Sequence, residues 1–291
     1  MNFADLETFL AVVQEHGFSR AAEKLHRTQP AISLAVQRLE EACGERLLDR
    51  STKEARLTDA GELVAARAEQ ILSQRERLGA ELLELRDHHR GRVTVGANES
   101  TAFSLLPAIE RFRRGYPRVK LEVRRSLSSR LPAEIVDGQL DFGVISYEPD
   151  VPELDSRVMD LDHLAFIVSP RHPLADRDEV EMEELGAENF IAHNVESPYR
   201  AMTIAAFRQR RVPLNVSLEM PTIESIKQLV MRHAGVAFVP RTSAAEDLAA
   251  GRLKAIPIRG FRLERRLRLV FRRRGHLSHA ARAFLRIAAG D

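Results

Sequence analysis

From Phe18 to Arg38 the chain reads FSRAAEKLHRTQPAISLAVQR, two short helical patterns parted by a break, and no other stretch restricts the fold as tightly. Ser19 is placed to cap the first helix, whose Ala21, Ala22 and Leu25 share one face. His26 and Arg27 close that helix, Thr28 offers a second N-cap, and Pro30 comes early in the next helix, where its missing N–H costs nothing. The expectation is a tight helix-turn-helix. In the second helix Ile32, Ala35, Val36, Leu39 and Cys43 recur at helical spacing, which leaves Gln29, Ser33, Gln37 and Arg38 toward solvent or the edges. Amide and guanidinium groups read adenine and guanine edges, and a short serine lets a helix approach a major groove closely. Two packed helices with an ordinary wet face are the competing reading.

Ala21-Ala22, Leu25, the run Gln29-Pro30-Ala31-Ile32-Ser33, Val36 and Leu39-Glu40 continue into Gly44, Leu47-Leu48, Arg50, Leu57-Thr58 and Ala60-Gly61. In one ungapped register over roughly the first sixty residues, this set resembles the winged helix-turn-helix of the LysR-type transcriptional regulators. The resemblance implies DNA contact from Ser19, Arg20, Arg27, Thr28, Gln29, Pro30, Ser33, Gln37 and Arg38, with Arg50 and Lys53 following the backbone from the wing. Leu48 departs from the family's usual Phe, which implies lost packing at the wing but an intact reading face.

Charge has to be segregated for this to work. The whole chain carries 44 basic and 42 acidic residues, a net of +2, and residues 1–58 carry eight basic against nine acidic. Arg27, Arg50, Lys53 and Arg56 fall in the turn and wing, whereas Asp5, Glu7, Glu15 and Glu23 belong to the first two helices, so a basic face on a neutral domain is expected. The single Cys43 excludes an internal disulfide and reads as a buried structural thiol. The start MNFADLETFL lacks a signal peptide's basic head and apolar run, and no stretch reaches the ~20 apolar residues of a membrane helix. A cytoplasmic protein without membrane contact is expected.

Leu6, Phe9, Leu10 and Val13 make an amphipathic first helix ending near His16-Gly17, with the glycine as its left-handed stop. The segment ERLLDRSTKEARLT, from Glu45 to Thr58, reads as a two-stranded wing. Thr58 can cap a long helix from Asp59 to about His88, in which Val64, Ile71, Leu78 and Leu85 lie seven apart with Ala68 and Leu82 between them, while Arg75 interrupts the second row. A stripe of that length needs a partner helix, so a homodimer is expected, and two recognition helices call for double-stranded DNA with an interrupted inverted repeat.

At 291 residues the chain holds two or three domains. After Gly91 short apolar runs alternate with helical ones: Leu121–Val123, Phe142–Ile145, Leu164–Val168, Phe190–Ala192, Val216–Leu218, Val236–Val239 and Leu267–Phe271 read as strands of a doubly wound, mostly parallel α/β region. NESTAFSLLP from Asn98, FRRGYP from Phe112, DGQLDFGVI from Asp137, HPLA from His172 and GVAFVP from Gly235 resemble, in order, the LysR-type effector domain. That family domain is built like a periplasmic binding protein, with two lobes and a cleft. The reading is therefore multi-domain: a winged helix-turn-helix over 1–58, a linker and dimerisation helix over 59–90, and a two-lobed effector domain over 91–291. Lobe one takes 91–161 and 267–291, and lobe two takes 162–266. The resemblance also implies a homotetramer and control by a small-molecule effector.

Ligands of such sheets bind beyond the carboxyl ends of the strands, at helix N-termini. Four places qualify: Asn98, Ser100 and Thr101; Ser126, Ser128 and Ser129; His193, Asn194, Ser197, Pro198 and Arg200; and Thr222. As isolated signals these hydroxyls are ordinary caps, but their convergence with His193 and Arg200 suits a small organic anion, although Glu99 brings charge of the wrong sign. No cofactor, metal or catalytic residue is expected, because the chain has no nucleophile elbow, H-E-x-x-H, phosphate loop or dinucleotide fingerprint. Two rival readings use the lobed half alone: an exported solute-binding protein, and an enzyme with His193 or His163 as base. The basic run Arg262 to Gly275 alternates Leu267, Leu269 and Phe271 with Arg266, Arg268 and Arg272, and reads as an edge or crossover strand rather than a second DNA site.

Overall fold

A computed structural model describes residues 1–49, 56–86, 91–274 and 277–290, excluding the side chains of 80, 81 and 83–86. The first domain comprises α1 (Phe3–Gln14), α2 (Phe18–Lys24), α3 (Gln29–Cys43) and a wing of β1 (Leu48–Asp49) antiparallel to β2 (Arg56–Leu57). Phe9, Val12, Ala21, Ile32, Val36, Leu39, Leu47 and Leu48 form its core. Leu48 is fully buried opposite Leu57, so the smaller side chain still closes the base of the wing.

The chain reverses after α1 on His16, at φ +51°, while Gly17 is extended and serves as N-cap of α2. The glycine is therefore not the left-handed stop; histidine is among the residues that tolerate that region. Ser19 lies inside α2 without a capping bond, because the helix begins two residues earlier than its hydroxyl requires. Cys43 is half-buried rather than sequestered. Two buried acids hold the domain together: Asp5 on α1 pairs with Arg38 on α3, and Glu40 accepts the N–H groups of Leu47 and Leu48 at the root of the wing.

The long helix α4 (Asp59–Arg86) does not carry one continuous seam. Ala68 is 1% exposed and, with Val64 and Leu72, completes the core of the first domain against α1. Arg75 stacks on Phe3 and pairs with Glu7, which explains why a cation interrupts the apolar row. The outward stripe is instead Leu63, Ile71, Leu78 and Leu82, with Leu78 57% exposed. The side chain of Leu85 lies outside the described residues.

In lobe one β3 (Gly91–Ala97) lies between parallel neighbours β4 (Val119–Arg125) and β5 (Phe142–Ile145). Two long strands, β6 (Leu154–Val168) and β11 (Glu264–Arg272), run antiparallel and cross from one lobe to the other. In lobe two β6 pairs antiparallel with β9 (Ala237–Pro240) and β10 (Lys254–Ala255), and β7 (Asn189–His193) pairs parallel with β8 (Asn215–Met220). The sheet is thus mixed rather than mostly parallel, because strands that leave a lobe and return must run in opposite directions. For the same reason β11 is not an edge: it lies between β6 and β5.

Helices α5 (Glu99–Gly115) and α10 (His279–Ala289) bury Phe112 and Phe284 against Phe142. The short α6 (Leu131–Val136) covers the other face through Leu131 and Ile135. Lobe two adds α7 (Pro198–Gln209), α8 (Ile223–Met231) and α9 (Arg241–Ala249), locked by a buried Lys227–Asp247 pair at 2.7 Å.

The linker helix docks on lobe one. Gln70 and Gln74 donate to the Asp137 carboxylate and carbonyl, and Arg77 pairs with Asp141, which itself accepts the N–H of Thr94. Gly138, at φ +73°, lies under the Gln74 amide, where a Cβ would come within 2.3 Å.

Candidate nucleic-acid interface and ligand cleft

Helix α3 starts where the sequence suggests, with Thr28 as N-cap, Gln29 in its first position and Pro30 in the first turn, although the Thr28 hydroxyl makes no capping bond. Gln29, Pro30 and Gln37 are exposed and Ser33 is half-exposed, whereas Ile32, Val36 and Leu39 are buried. Leu34, missed by the sequence reading, is 52% exposed on the outer side and supplies an apolar group of the kind that meets a thymine methyl. Three of the predicted set have partners within the domain. The Arg38 guanidinium turns to Asp5, whose hydrogen bond raises the arginine's pKa above its ordinary value, so this side chain is a clasp between α1 and α3. Arg20 donates to the His16 carbonyl at 3.0 Å, and Gln37 donates to Glu41 at 2.9 Å. Ser19 and Arg27 are exposed, as is Arg56 in the wing; Arg50 and Lys53 lie outside the described residues.

A cleft of about 720 Å³ opens between the two lobes. Asn98, Ser100, Ser128, His193, Ser197, Pro198 and Arg200 line it. Asn98 donates to the Ser128 hydroxyl at 2.6 Å, and Ser197 accepts the N–H of Arg200 at 3.1 Å as the cap of α7. Arg200 also donates to the His193 carbonyl at 2.6 Å and pairs with Glu219, so its charge is already met.

Thr101 and Thr222 do not line the cleft. Thr101 is buried, accepting the N–H of Asn98 at 3.2 Å, and Thr222 caps α8 by accepting the N–H of Ser225 at 3.1 Å. Both hydroxyls are consumed by the helices they start.

The sequence reading missed Arg265, which is 2% exposed and reaches the cleft from β11. Its Nη1 donates to Asp162 at 3.3 Å, its Nη2 donates to the Ser100 carbonyl and hydroxyl at 3.2 and 3.1 Å, and it lies 5.2 Å from the Tyr199 ring centre. Burial pulls its pKa below the ordinary value against the opposing pull of Asp162 and Tyr199, yet a guanidinium stays charged. The signal was present: Arg265 shares the parity of Leu267 and Leu269, the core face of the strand. Tyr199 was missed as well; from α7 it donates to the Ser146 carbonyl across the cleft at 2.8 Å.

Two further contacts cross the cleft from Glu99. One carboxylate oxygen accepts the N–H of Ile223 at 2.7 Å, and the other lies 3.5 Å from Nε2 of His193. His163 does not line the cleft, and burial, aided by Arg262, lowers its pKa. Among the described residues no cluster of His, Cys, Asp or Glu could hold a metal, and no helix is long and apolar enough to cross a membrane.

Comparison with known proteins gives one consistent result. Residues 3–62 match the family model described as "Bacterial regulatory helix-turn-helix protein, lysR family", and residues 86–290 match "LysR substrate binding domain". A probable RuBisCO transcriptional regulator of Cyanophora paradoxa is 33% identical over 288 residues, covering 96% of this chain and 88% of that protein. CbnR, a LysR family transcriptional regulator solved alone and with its target DNA, is 20% identical, with TM-scores of 0.81 and 0.79 and coverage of at least 99% of both chains. The CcmR regulatory domain of Synechocystis PCC6803, solved in complex with 2-PG, is also 20% identical, with a TM-score of 0.61, covering 68% of this chain and 96% of that one.

Proposed function

The chain belongs to the LysR family of bacterial transcriptional regulators, and we propose that it reads an interrupted inverted repeat through paired α3 helices, under the control of a small organic anion held between its lobes. The observation that carries the DNA reading is the outer face of α3, where Gln29, Ser33 and Gln37, spaced four apart, form one row reaching solvent while Arg38 and Glu40 are turned to structural work. The exposed Leu63, Ile71, Leu78 and Leu82 support pairing of α4 with a second copy, and the family resemblance extends that to a tetramer. CbnR was solved with DNA and CcmR with 2-PG, which supports the same division of labour here. Regulation rests on population shift: a ligand that prefers one lobe arrangement by ~1–3 kcal/mol redistributes how the paired recognition helices engage DNA. We read the protein as acting in the cytoplasm, and the cleft as a ligand site rather than a reaction centre, since Nε2 of His193 faces the Pro221 carbonyl and Glu99 and His163 does not line the cleft.

A mobility-shift assay with the promoter region beside the gene tests this. Binding should exceed that to random duplex and fall steeply with salt. Gln29→Ala should weaken operator binding by about 1–3 kcal/mol, roughly 5- to 150-fold, without changing affinity for random DNA. Equal affinity of the wild type for operator and random duplex would overturn the reading.

A further inference from the structure

We propose that the end of the cleft formed by His193 and the first N–H of α8 is a carboxylate subsite, held in this state by the chain's own Glu99. The inference rests on reading the cleft as the effector site and names the group that the effector must bring. The first N–H groups of a helix have no partner within it and carry the positive end of its dipole. In α8 one of them, that of Ile223, is taken by Glu99, which comes from the other lobe at the start of α5. Nε2 of His193 faces two acceptors, the Pro221 carbonyl at 3.1 Å and the Glu99 carboxylate at 3.5 Å, so this nitrogen carries the proton and is a donor. Two donors on lobe two therefore converge on one carboxylate, and that carboxylate belongs to lobe one.

The wrong-sign charge seen in the sequence now has a place. Glu99 is not a free anion repelling a ligand; it stands where a ligand's acid would stand. The remaining charges favour an acidic visitor too. On the lobe-one wall Arg125 and Arg130 line the cleft, and among the described residues neither is paired with a carboxylate. A small organic acid entering the cleft meets the Ile223 N–H and the His193 N–H, and displaces Glu99 toward those arginines. Exchange of one carboxylate for another costs the helix no hydrogen bond but breaks a tether between the lobes. Ligand occupancy and lobe arrangement are thereby linked.

The test uses the full chain and sodium acetate as probe, with sodium chloride at matched ionic strength as control. Glu99→Ala should lower the melting temperature by about 2–4 °C. Acetate should restore at least half of that in a saturable way, whereas the wild type and Glu99→Ala/His193→Ala should respond no more to acetate than to chloride. Glu99→Gln keeps an acceptor for Ile223 and guards against misfolding; its response to acetate should be saturable and exceed its response to chloride, as the wild type's should not. Acetate and chloride acting alike on both Glu99→Ala and Glu99→Gln would overturn the proposal, as would a wild-type response as large as that of the variants. Operator footprints of the same proteins report on the parent reading. Rescue by acetate with no operator binding would leave the subsite standing and remove the regulator, whereas an altered footprint without rescue would remove the subsite alone.

Discussion

Arg265 and Asp162 are direct cross-strand partners on the two crossover strands, both almost fully buried where the lobes meet. Cutting this pair from its two sides should not cost the same. Asp162→Ala leaves a guanidinium that is 2% exposed with only neutral oxygens of Ser100 and the Tyr199 ring, an uncompensated buried charge worth about 3–5 kcal/mol. Arg265→Met leaves a carboxylate that still accepts the Thr242 N–H at 3.3 Å and its hydroxyl at 3.1 Å, so the loss should be nearer 1–3 kcal/mol, the cost of a partly satisfied buried group. Asp162→Ala/Arg265→Met removes both charges and should fall well short of the sum of its single variants, with a coupling of about 1–3 kcal/mol. For a domain of this size each kcal/mol shifts melting by about 2–4 °C, so Asp162→Ala should lower the effector-domain transition by roughly 6–20 °C. Scanning calorimetry of the four proteins decides. Arg265→Met costing as much as Asp162→Ala, or additive single losses, would refute the claim that a buried charge pair fastens the lobes.

Further expectations follow from close contacts and buried charges elsewhere. A Cβ on Gly61 would lie 2.0 Å from the Leu47 carbonyl, a backbone atom that cannot yield, so Gly61→Ala should displace the root of the wing; operator binding should fall to the random-DNA level while the effector-domain transition stays put in calorimetry. Burial penalises the Asp247 carboxylate, but hydrogen bonds from Lys227 and Arg252 outweigh this and hold its pKa below the ordinary 3.8. Its contribution is therefore present above that value and lost as pH falls through the lowered one, so the stability gap between wild type and Asp247→Asn in urea should narrow below pH 3.8. Burial likewise opposes the Lys227 ammonium, yet Asp247 and Glu224 raise its pKa above 10.5, so the gap to Lys227→Met should narrow only as pH rises beyond that value. Gly138→Ala combines a left-handed backbone with a Cβ 2.3 Å from the Gln74 amide, and hydrogen exchange should show lost protection at residues 131–141 without global unfolding.

What could be read from the sequence was whatever repeats along the chain. Ile32, Val36 and Leu39 recur at helical spacing, and α3 buries them; Phe142–Ile145 is a short apolar run, and β5 has the same limits. Illegible features depend on pairings between distant residues. Arg38 looks like a solvent-facing reader until Asp5, thirty-three residues away, is beside it. Thr101 and Ser100 are neighbouring hydroxyls in sequence, yet one faces the strand carbonyl of Val144 and the other faces Arg265. The seam of α4 was misjudged for a related reason: its first half met apolar partners within the same chain, and periodicity does not say whose core a stripe completes.

The clasp residues that the sequence hid are also those that join the two ends of the molecule. The cleft wall from Arg125 to Arg130 leads directly into α6, whose Leu131 packs closely on Gly96 and Gly143 where no Cβ intervenes. The turn beyond α6 is bound to α4 by Gln70, Gln74 and Arg77, α4 shares a core with α1, and Asp5 binds α1 to α3. Each joint is a packed or hydrogen-bonded contact with little slack. Displacement of the cleft wall therefore has a route through packed elements to the recognition helix of the same subunit. Coupling along that route requires an element with two arrangements. The tethers of Glu99 and Tyr199 supply a candidate, since each spans the cleft by one side chain that a ligand can replace or release.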